Sequence, residues 1–372
     1  MEITEVKDKK LLRQFISFPY KLYKNDPNYI PDLILNQKKI FSNTNPFFEH
    51  SQALLFMALE NKKVMGRIAA IHNRIHNNIY NEKTAFFGFL EAVSRDDVFI
   101  ALIGKVSEWA KSEGLNKLVG PTNFTTNDSC GFLISGFDRM PVINMPYNKD
   151  YYAGFFDRHG FTKELDLFAY EHTAQNLKMH IDEKLLHRVG EKLFSEGISL
   201  RQVHFKDMDA EIMKLREVYN ASNIGNSGFI PLSENEFKST AKDLKTLIPE
   251  KLILFAEKND ETVGFIVALP DYNQVFRHIH SGRLFPFGIF KFLWHKRKID
   301  NARVLILGVL PKYRGKGIDL HLYYRIQQNL ASIGIHRGEA AYIMESNTVM
   351  NSIMQKIGGK LVKKYRMFSK EI

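Results

Sequence analysis

Apolar and polar residues in the second half of the chain follow two alternating periods, and the switches between them mark out the elements. ISLRQVHF (198–205) is short and apolar at nearly alternate positions, which predicts a strand. AEIMKLREVYNASN (210–223) and SENEFKSTAKDLKTLI (233–248) carry apolar residues every three or four positions and predict helices. KLILFAEKNDETVGFIVALP (251–270) is two apolar runs around a charged turn, the pattern of a β-hairpin. A strand (RVLILGVLP), a helix (DLHLYYRIQQNLASIG), a strand (GEAAYIMES), a helix (NTVMNSIMQKIG) and a last strand (KLVKKYRMFSK) complete a mixed α/β order. The segment 176–197 has helical apolar spacing and ends in Gly, so it predicts one helix joining the halves.

The first half repeats this order. FMALENKKVMGRIAAI (56–71) matches FAEKNDETVGFIVAL (255–269), and HGFTKELDLFAY (159–170) matches IGGKLVKKYRMF (357–368). Gly66 aligns with Gly264 and Gly160 with Gly358, each pair 198 residues apart. Two copies of one fold follow, with expected limits of 1–175 and 198–372 around the 176–197 linker.

Composition narrows the class. With 372 residues, 44% hydrophobic, 25% charged and only 12 Pro, the chain is a folded one rather than a disordered one. Its longest apolar runs, ALLFMAL (53–59) and VLILGVL (304–310), fall far short of the ~20 residues of a membrane-spanning helix. MEITEVKDKK has no apolar centre and does not read as a secretory signal, and a single Cys fits a reducing compartment, so a cytoplasmic location is expected. The net charge is +11, and ten basic residues against one acid (Asp300) lie between Arg277 and Lys316. That concentration points to one anionic partner, with a phosphorylated cofactor as the leading explanation.

The sharpest chemical signal is VLILGVLPKYRGKGIDLHLYYRI. An apolar strand runs through Pro311 into a basic turn holding Gly315 and Gly317, and an amphipathic helix follows. Glycines let backbone N–H groups turn inward, and a helix N-terminus adds its positive dipole end, which suits a pyrophosphate. In this context the second half resembles the GCN5-related N-acetyltransferases (GNAT), whose loop signature is Gln or Arg followed by x-x-Gly-x-Gly/Ala after a strand ending near Pro. Arg314-Gly-Lys-Gly317-Ile-Asp319 matches all but its last position. The resemblance implies two tandem domains of α/β (α+β) class, each a mixed, bent, mostly antiparallel sheet flanked by helices. The first is a diverged copy without the phosphate loop. It also implies acetyl-CoA or another acyl-CoA as co-substrate. The backbone of Arg314, Gly315, Lys316, Gly317 and Ile318 would hold the pyrophosphate, and Leu307 and Val309 would line the pantetheine arm. Asn347 would contact that arm from the other side.

Two departures bear on activity. The position at which many relatives carry an acid Tyr is Met354, and Asp319 puts a carboxylate at the end of the loop, where it could cap the helix while repelling phosphate. The substitute proton carriers are Glu339, Tyr342 and Glu345 on the penultimate strand, with Tyr365 on the last. In the first half, Asn123, Asn127, Asp128 and Tyr147 are the candidates for a polar substrate pocket, set against the turn and cap roles that these residue types favour. Cys130 has no adjacent His and reads as a buried small residue. No metal is expected, since His72/His76 and His278/His280 lack an acidic partner in a recognised ligand spacing. The aromatic and basic insert, 277–301, reads as a segment whose rings complete a core, the alternative being a membrane-surface or lipid-covering role.

The function these features imply is acyl transfer from CoA to a small-molecule or peptide amine. A catalytically silent CoA-binding module stands as one alternative, and a transferase that uses aminoacyl-tRNA or associates with an anionic membrane as another.

Overall fold

The repeat is visible first in its turns. The hairpins Gln52–Glu60/Lys63–His72 and Ile253–Lys258/Glu261–Pro270 both close on two residues with positive φ, Asn61 and Lys62 (49° and 63°) and Asn259 and Asp260 (49° and 65°). That pair of angles matches the twist of the flanking strands. The aligned glycines have one job in each copy. A Cβ on Gly66 would come within 2.7 Å of Leu102, and one on Gly264 within 3.2 Å of Ile318, so each lets the same helix of its copy, Asp96–Ser112 or Ile318–Ala331, settle onto the sheet. Gly160 and Gly358, with φ of 74° and 79°, end the helices Tyr151–Arg158 and Thr348–Lys356 in the left-handed conformation that favours glycine.

The computed structural model describes residues 1–180, 182–226 and 228–372. They form two units, each assembled from separate stretches of chain: Met1–Leu167 with Val275–Trp294 and Lys363–Ile372, and Phe168–Gln274 with His295–Val362.

In the first unit the sheet runs Glu2–Glu5, Gln52–Glu60, Lys63–His72 and Thr84–Ala92 in antiparallel succession, with Lys117–Gly120 parallel to Thr84–Ala92. The end of the chain then adds an antiparallel strand, from Phe368 opposite Gly120 to Glu371 opposite Lys117. Phe56, Ile68, Phe87, Leu102, Val106, Phe156 and Phe368 belong to its core.

The second unit repeats the plan. Ile198–Gln202, Ile253–Lys258, Glu261–Pro270 and Asn301–Val309 are antiparallel, Arg337–Met344 runs parallel to Asn301–Val309, and residues 168–173 complete the edge. Each sheet is thus mixed and mostly antiparallel, with helices packed on it, as the resemblance implies. The strand Thr162–Thr173 of the first half ends in the second unit, and the strand Lys360–Glu371 of the second half ends in the first.

The segment 176–197 is two helices rather than one, Ala174–His180 and Glu183–Ser195. The carboxylate of Asp182 accepts from the Lys184 N–H and starts the second of them as an N-cap.

His172 sits in the core of the second unit, 1% exposed, with the Tyr323 hydroxyl 2.9 Å from its Nδ1 and the Gln327 side-chain nitrogen 2.8 Å from its Nε2. Burial holds its pKa down at about 4. The unfolded chain binds a proton there at a pH near 6.5, so this group favours folding fully above that pH and progressively less as pH falls toward 4. Denaturant unfolding from pH 7 to pH 4.5 is expected to show a loss of order 2–3 kcal/mol that a His172→Gln variant lacks.

Candidate functional site

The strands Asn301–Val309 and Arg337–Met344 pair only at their beginnings. The parallel register runs from Asn301/Arg337 to Val304/Ala340, and both strands continue past it among the described residues without further pairing. On its other side Asn301–Val309 stays fully paired to Glu261–Pro270, with a register shift at Val267/Ala268 that leaves Leu305 without an opposite residue. Such a bulge bends one strand away from its neighbour. Arg303 stands where the separation begins. It is 6% exposed, lies opposite Glu339, and donates from Nε and a terminal nitrogen to the Ala341 carbonyl at 3.2 and 3.0 Å. The guanidinium thereby serves a backbone acceptor that a longer ladder would have served.

The glycine turn lies beyond the open end. Gly315 and Gly317 have φ of 76° and 87°, and the helix Ile318–Ala331 begins on Gly317 with no side-chain cap. Asp319 is in the first turn and does not cap it. Helix-start N–H groups without a side-chain acceptor, next to a left-handed glycine, form a place where an anion is stabilised. A Cβ on Gly315 would meet nothing within 4 Å, whereas one on Gly317 would lie 2.8 Å from Val189 of the helix Glu183–Ser195.

The side chains of the turn face other duties. Arg314 donates to the Ser222 carbonyl at 2.6 Å and to that of Val309 at 3.4 Å, Lys316 pairs with Glu196 at 2.6 Å, and Lys312 pairs with Glu261 at 2.7 Å. They fix the turn, and its backbone carries the anion-binding character.

The remaining residues singled out in the sequence are distributed as follows. Leu307 lies opposite Ile266 and Val309 opposite Gly264, on the strand that leaves its partner. Glu339 is 3% exposed at the closed end of the opening, Tyr342 has its ring centre 5.7 Å from the Arg303 guanidinium, and Glu345 follows the strand in a half-buried turn. Asn347 caps the helix Thr348–Lys356 by accepting from the Met350 N–H at 3.0 Å. Met354 and Tyr365 are buried.

The first unit treats the equivalent opening differently. Its parallel pairing also stops early, at Phe86/Val119, and Thr84–Ala92 runs on. Here the following chain fills the gap: a Cβ on Gly88 would overlap the Thr122 carbonyl, and Asn123 accepts the Phe89 N–H at 2.8 Å. Asp128 accepts from the Thr125 N–H and hydroxyl at 3.1 and 2.9 Å, the Thr125 hydroxyl in turn accepts the Asn127 N–H at 3.1 Å, and the Tyr147 hydroxyl donates to Asp26 at 3.0 Å. Cys130 is buried.

Beneath the filled gap lies a group that the sequence reading did not single out. Arg67 and Glu91 stand opposite each other on neighbouring strands, and Tyr23 and Tyr152 each donate to Glu91 at 2.7 Å. Burial pushes the Glu91 carboxyl and both phenols up and the Arg67 guanidinium down, and the Arg67 charge opposes the rise at Glu91. The signal was present in GRIAAI and FFGFLEA, where one ionisable residue interrupts an apolar strand, as Arg303 does in RVLILGVL.

The insert departs from the expectation of a buried aromatic segment. Its inner side packs, with Phe276 stacked 6.2 Å from Phe292, but Phe285, Phe287, Phe290 and Trp294 are 73%, 77%, 69% and 68% exposed. The basic tract also divides. Arg303, Lys312, Arg314 and Lys316 are spent on protein carbonyls and carboxylates, while Arg277, Arg283, Lys291, Lys296, Arg297 and Lys298 are exposed on the insert.

Two mixed sheets, each with a parallel pair whose pairing stops early, and a glycine turn in the second copy give the chain the fold of the tandem GNAT structures. The solved tandem GNAT protein from the clavulanic acid biosynthesis pathway covers 100% of this chain and 98% of its own at a TM-score of 0.58 and 12% identity. A GCN5-related N-acetyltransferase from Sphaerobacter thermophilus covers 97% and 90% at a TM-score of 0.51 and 13% identity. The chain belongs to the family that contains protein YghO of Escherichia coli and the bacterial ceramide synthase of Caulobacter vibrioides. YghO is 34% identical over 98% of this chain and 94% of its own, and the ceramide synthase 31% identical over 100% and 98%. No family model matches the chain.

The two glycines of the turn separate backbone strain from crowding. Gly315→Ala is expected to cost about 1–2 kcal/mol in urea unfolding, from the left-handed φ alone. Gly317→Ala is expected to cost more, because its Cβ also displaces Val189, and a Val189→Ala change in the same chain should return part of the difference.

Proposed function

We propose that the protein is an acyl-CoA-dependent N-acyltransferase whose second unit holds the donor. The observation that carries this reading is the open parallel pair leading to an uncapped helix N-terminus at the glycine turn. The backbone of residues 314–318 would hold the pyrophosphate, and the free edge of Leu307 to Val309 would pair with the pantetheine amides. When bound, acyl-CoA supplies an activated acyl thioester. The acceptor amine forms a C–N bond at that carbonyl as the C–S bond breaks; the nitrogen gives up one proton and the departing sulfur takes one. A backbone N–H near Val309 would favour the negative charge that develops on the carbonyl oxygen.

Glu345 is the proposed proton acceptor, with Tyr342 three residues before it on the same segment. It is partly exposed at the end of the strand, whereas Glu339 is sealed at the closed end. For the acceptor we propose a long-chain amino alcohol. A ceramide is a fatty acid in amide linkage to such an amine, and a relative covering the whole chain is called a ceramide synthase.

Release of CoA thiol, followed with a thiol reagent, tests the reading, and Cys130 is buried and adds little background. Long-chain acyl-CoA with a sphingoid base should give acceptor-dependent thiol release. Glu345→Gln should lower kcat by about 10²-fold or more with KM little changed. Failure of acetyl-CoA and of long-chain acyl-CoA both to raise Tm and to release thiol would overturn the proposal. Binding without release, with every amine tried, would instead favour a silent CoA-binding module, the reading that Met354 supports by being 2% exposed where an acid Tyr is expected.

A further inference from the structure

The helix Gly288–Lys296 is apolar on two faces, and only one of them is covered. Gly288 is buried so closely that a Cβ would meet the Arg283 carbonyl and lie 3.2 Å from Ile279, and Phe292 stacks on Phe276 on the same side. At 100° per residue, Phe290, Leu293 and Trp294 lie within one third of the helix circumference on the opposite side, and Phe287 directly precedes the helix. Leu293 is 58% exposed, and of the five aromatic side chains with large exposure among the described residues, four fall between Phe285 and Trp294. A cluster of this size on a water-facing surface marks a contact site rather than ordinary surface scatter.

The charge around it specifies the partner. No acid occurs from Arg277 to Ile299, while Arg283 and Lys291 lie beside the rings and Lys296, Arg297 and Lys298 continue the segment. A protein interface of comparable size is depleted in lysine at its centre and mixes both signs at its rim. Rings flanked by bases of one sign match the acyl boundary and the anionic headgroups of a bilayer, where aromatic side chains rest at headgroup depth and each nearby base adds about 1 kcal/mol.

We infer that this helix docks the protein on the surface of an anionic phospholipid membrane. Phe287, Phe290 and Trp294 enter the interface, and the bases from Arg283 to Lys298 meet the headgroups. The helix lies on the bilayer and does not cross it, since nine residues are too few to span one. The inference is independent of acyl transfer, because docking needs neither donor nor acceptor.

Sedimentation of the full chain with vesicles tests it. The protein should bind vesicles of phosphatidylcholine mixed with phosphatidylglycerol, and bind phosphatidylcholine alone at least about tenfold more weakly at 0.1 M salt. The Phe287→Ser/Phe290→Ser variant should lose binding by a further tenfold or more on the anionic vesicles with unchanged Tm, as its sites are exposed. Arg297→Gln/Lys298→Gln should remove most of the preference for anionic lipid. In a Trp109→Phe background, the fluorescence of Trp294 should shift to shorter wavelength on vesicle addition. No binding to anionic vesicles, binding that survives the double Phe substitution, or a dimer that this variant dissociates would each overturn the inference. So would tRNA binding that displaces the vesicles.

Discussion

The point on which both units turn is the place where a parallel pair of strands stops pairing. Between Val304 and Ala340 the ladder of the second unit ends, and beyond it two strands leave each other with backbone groups no longer served by a neighbour. Separation of this kind costs free energy unless something else satisfies those groups. The bulge at Leu305 bends one strand away, and Arg303 caps the Ala341 carbonyl on the other. Everything proposed about the donor depends on that opening, because the glycine turn and the uncapped helix end lie at its mouth.

The first unit shows the same opening filled by its own chain. The chain after Gly120 folds back into it, Asn123 takes the Phe89 N–H, and a polar centre of Arg67, Glu91 and two tyrosines is sealed in the sheet. Glu91 accepts from both tyrosine hydroxyls and Arg67 donates to the Phe15 carbonyl at 2.8 Å, hydrogen bonds that offset part of the cost of burying these groups. Asp128 accepts from the Thr125 N–H and hydroxyl and the Thr125 hydroxyl accepts the Asn127 N–H, local turn bonds that these residue types favour, while Asn123 reaches the strand Thr84–Ala92. The diverged copy is therefore a closed version of the open one.

Charge is divided by the same logic. In the second unit, Lys312 and Lys316 pair with carboxylates and Arg314 donates to backbone carbonyls, so the side chains of the glycine turn are engaged within the protein and its backbone amides are left to face an anion. Six bases with no acid among them, from Arg277 to Lys298, stand on the insert beside rings exposed to water.

How much of this was legible in the sequence depends on distance along the chain. The hairpins, the helix and strand order of the second half, the 198-residue repeat and the glycine turn rest on local periods and on glycines required by local backbone angles, and each falls where the sequence put it. The joining segment misled because helical spacing runs across Asp182, whose carboxylate starts a new helix. The roles of Arg303, Arg67 and Glu91 were not readable, since a charged residue in an apolar strand reveals its partner only once the neighbouring strand is in register. The exposure of Phe285, Phe287, Phe290 and Trp294 was hidden for a related reason: a run of aromatics looks the same whether its second face is covered or bare. The sequence by itself determined two copies of a mixed α/β fold and the turn chemistry of one of them. Tertiary structure alone decided which opening is filled, which charges are spent and which apolar face meets solvent, because those outcomes depend on pairings between residues far apart in the chain.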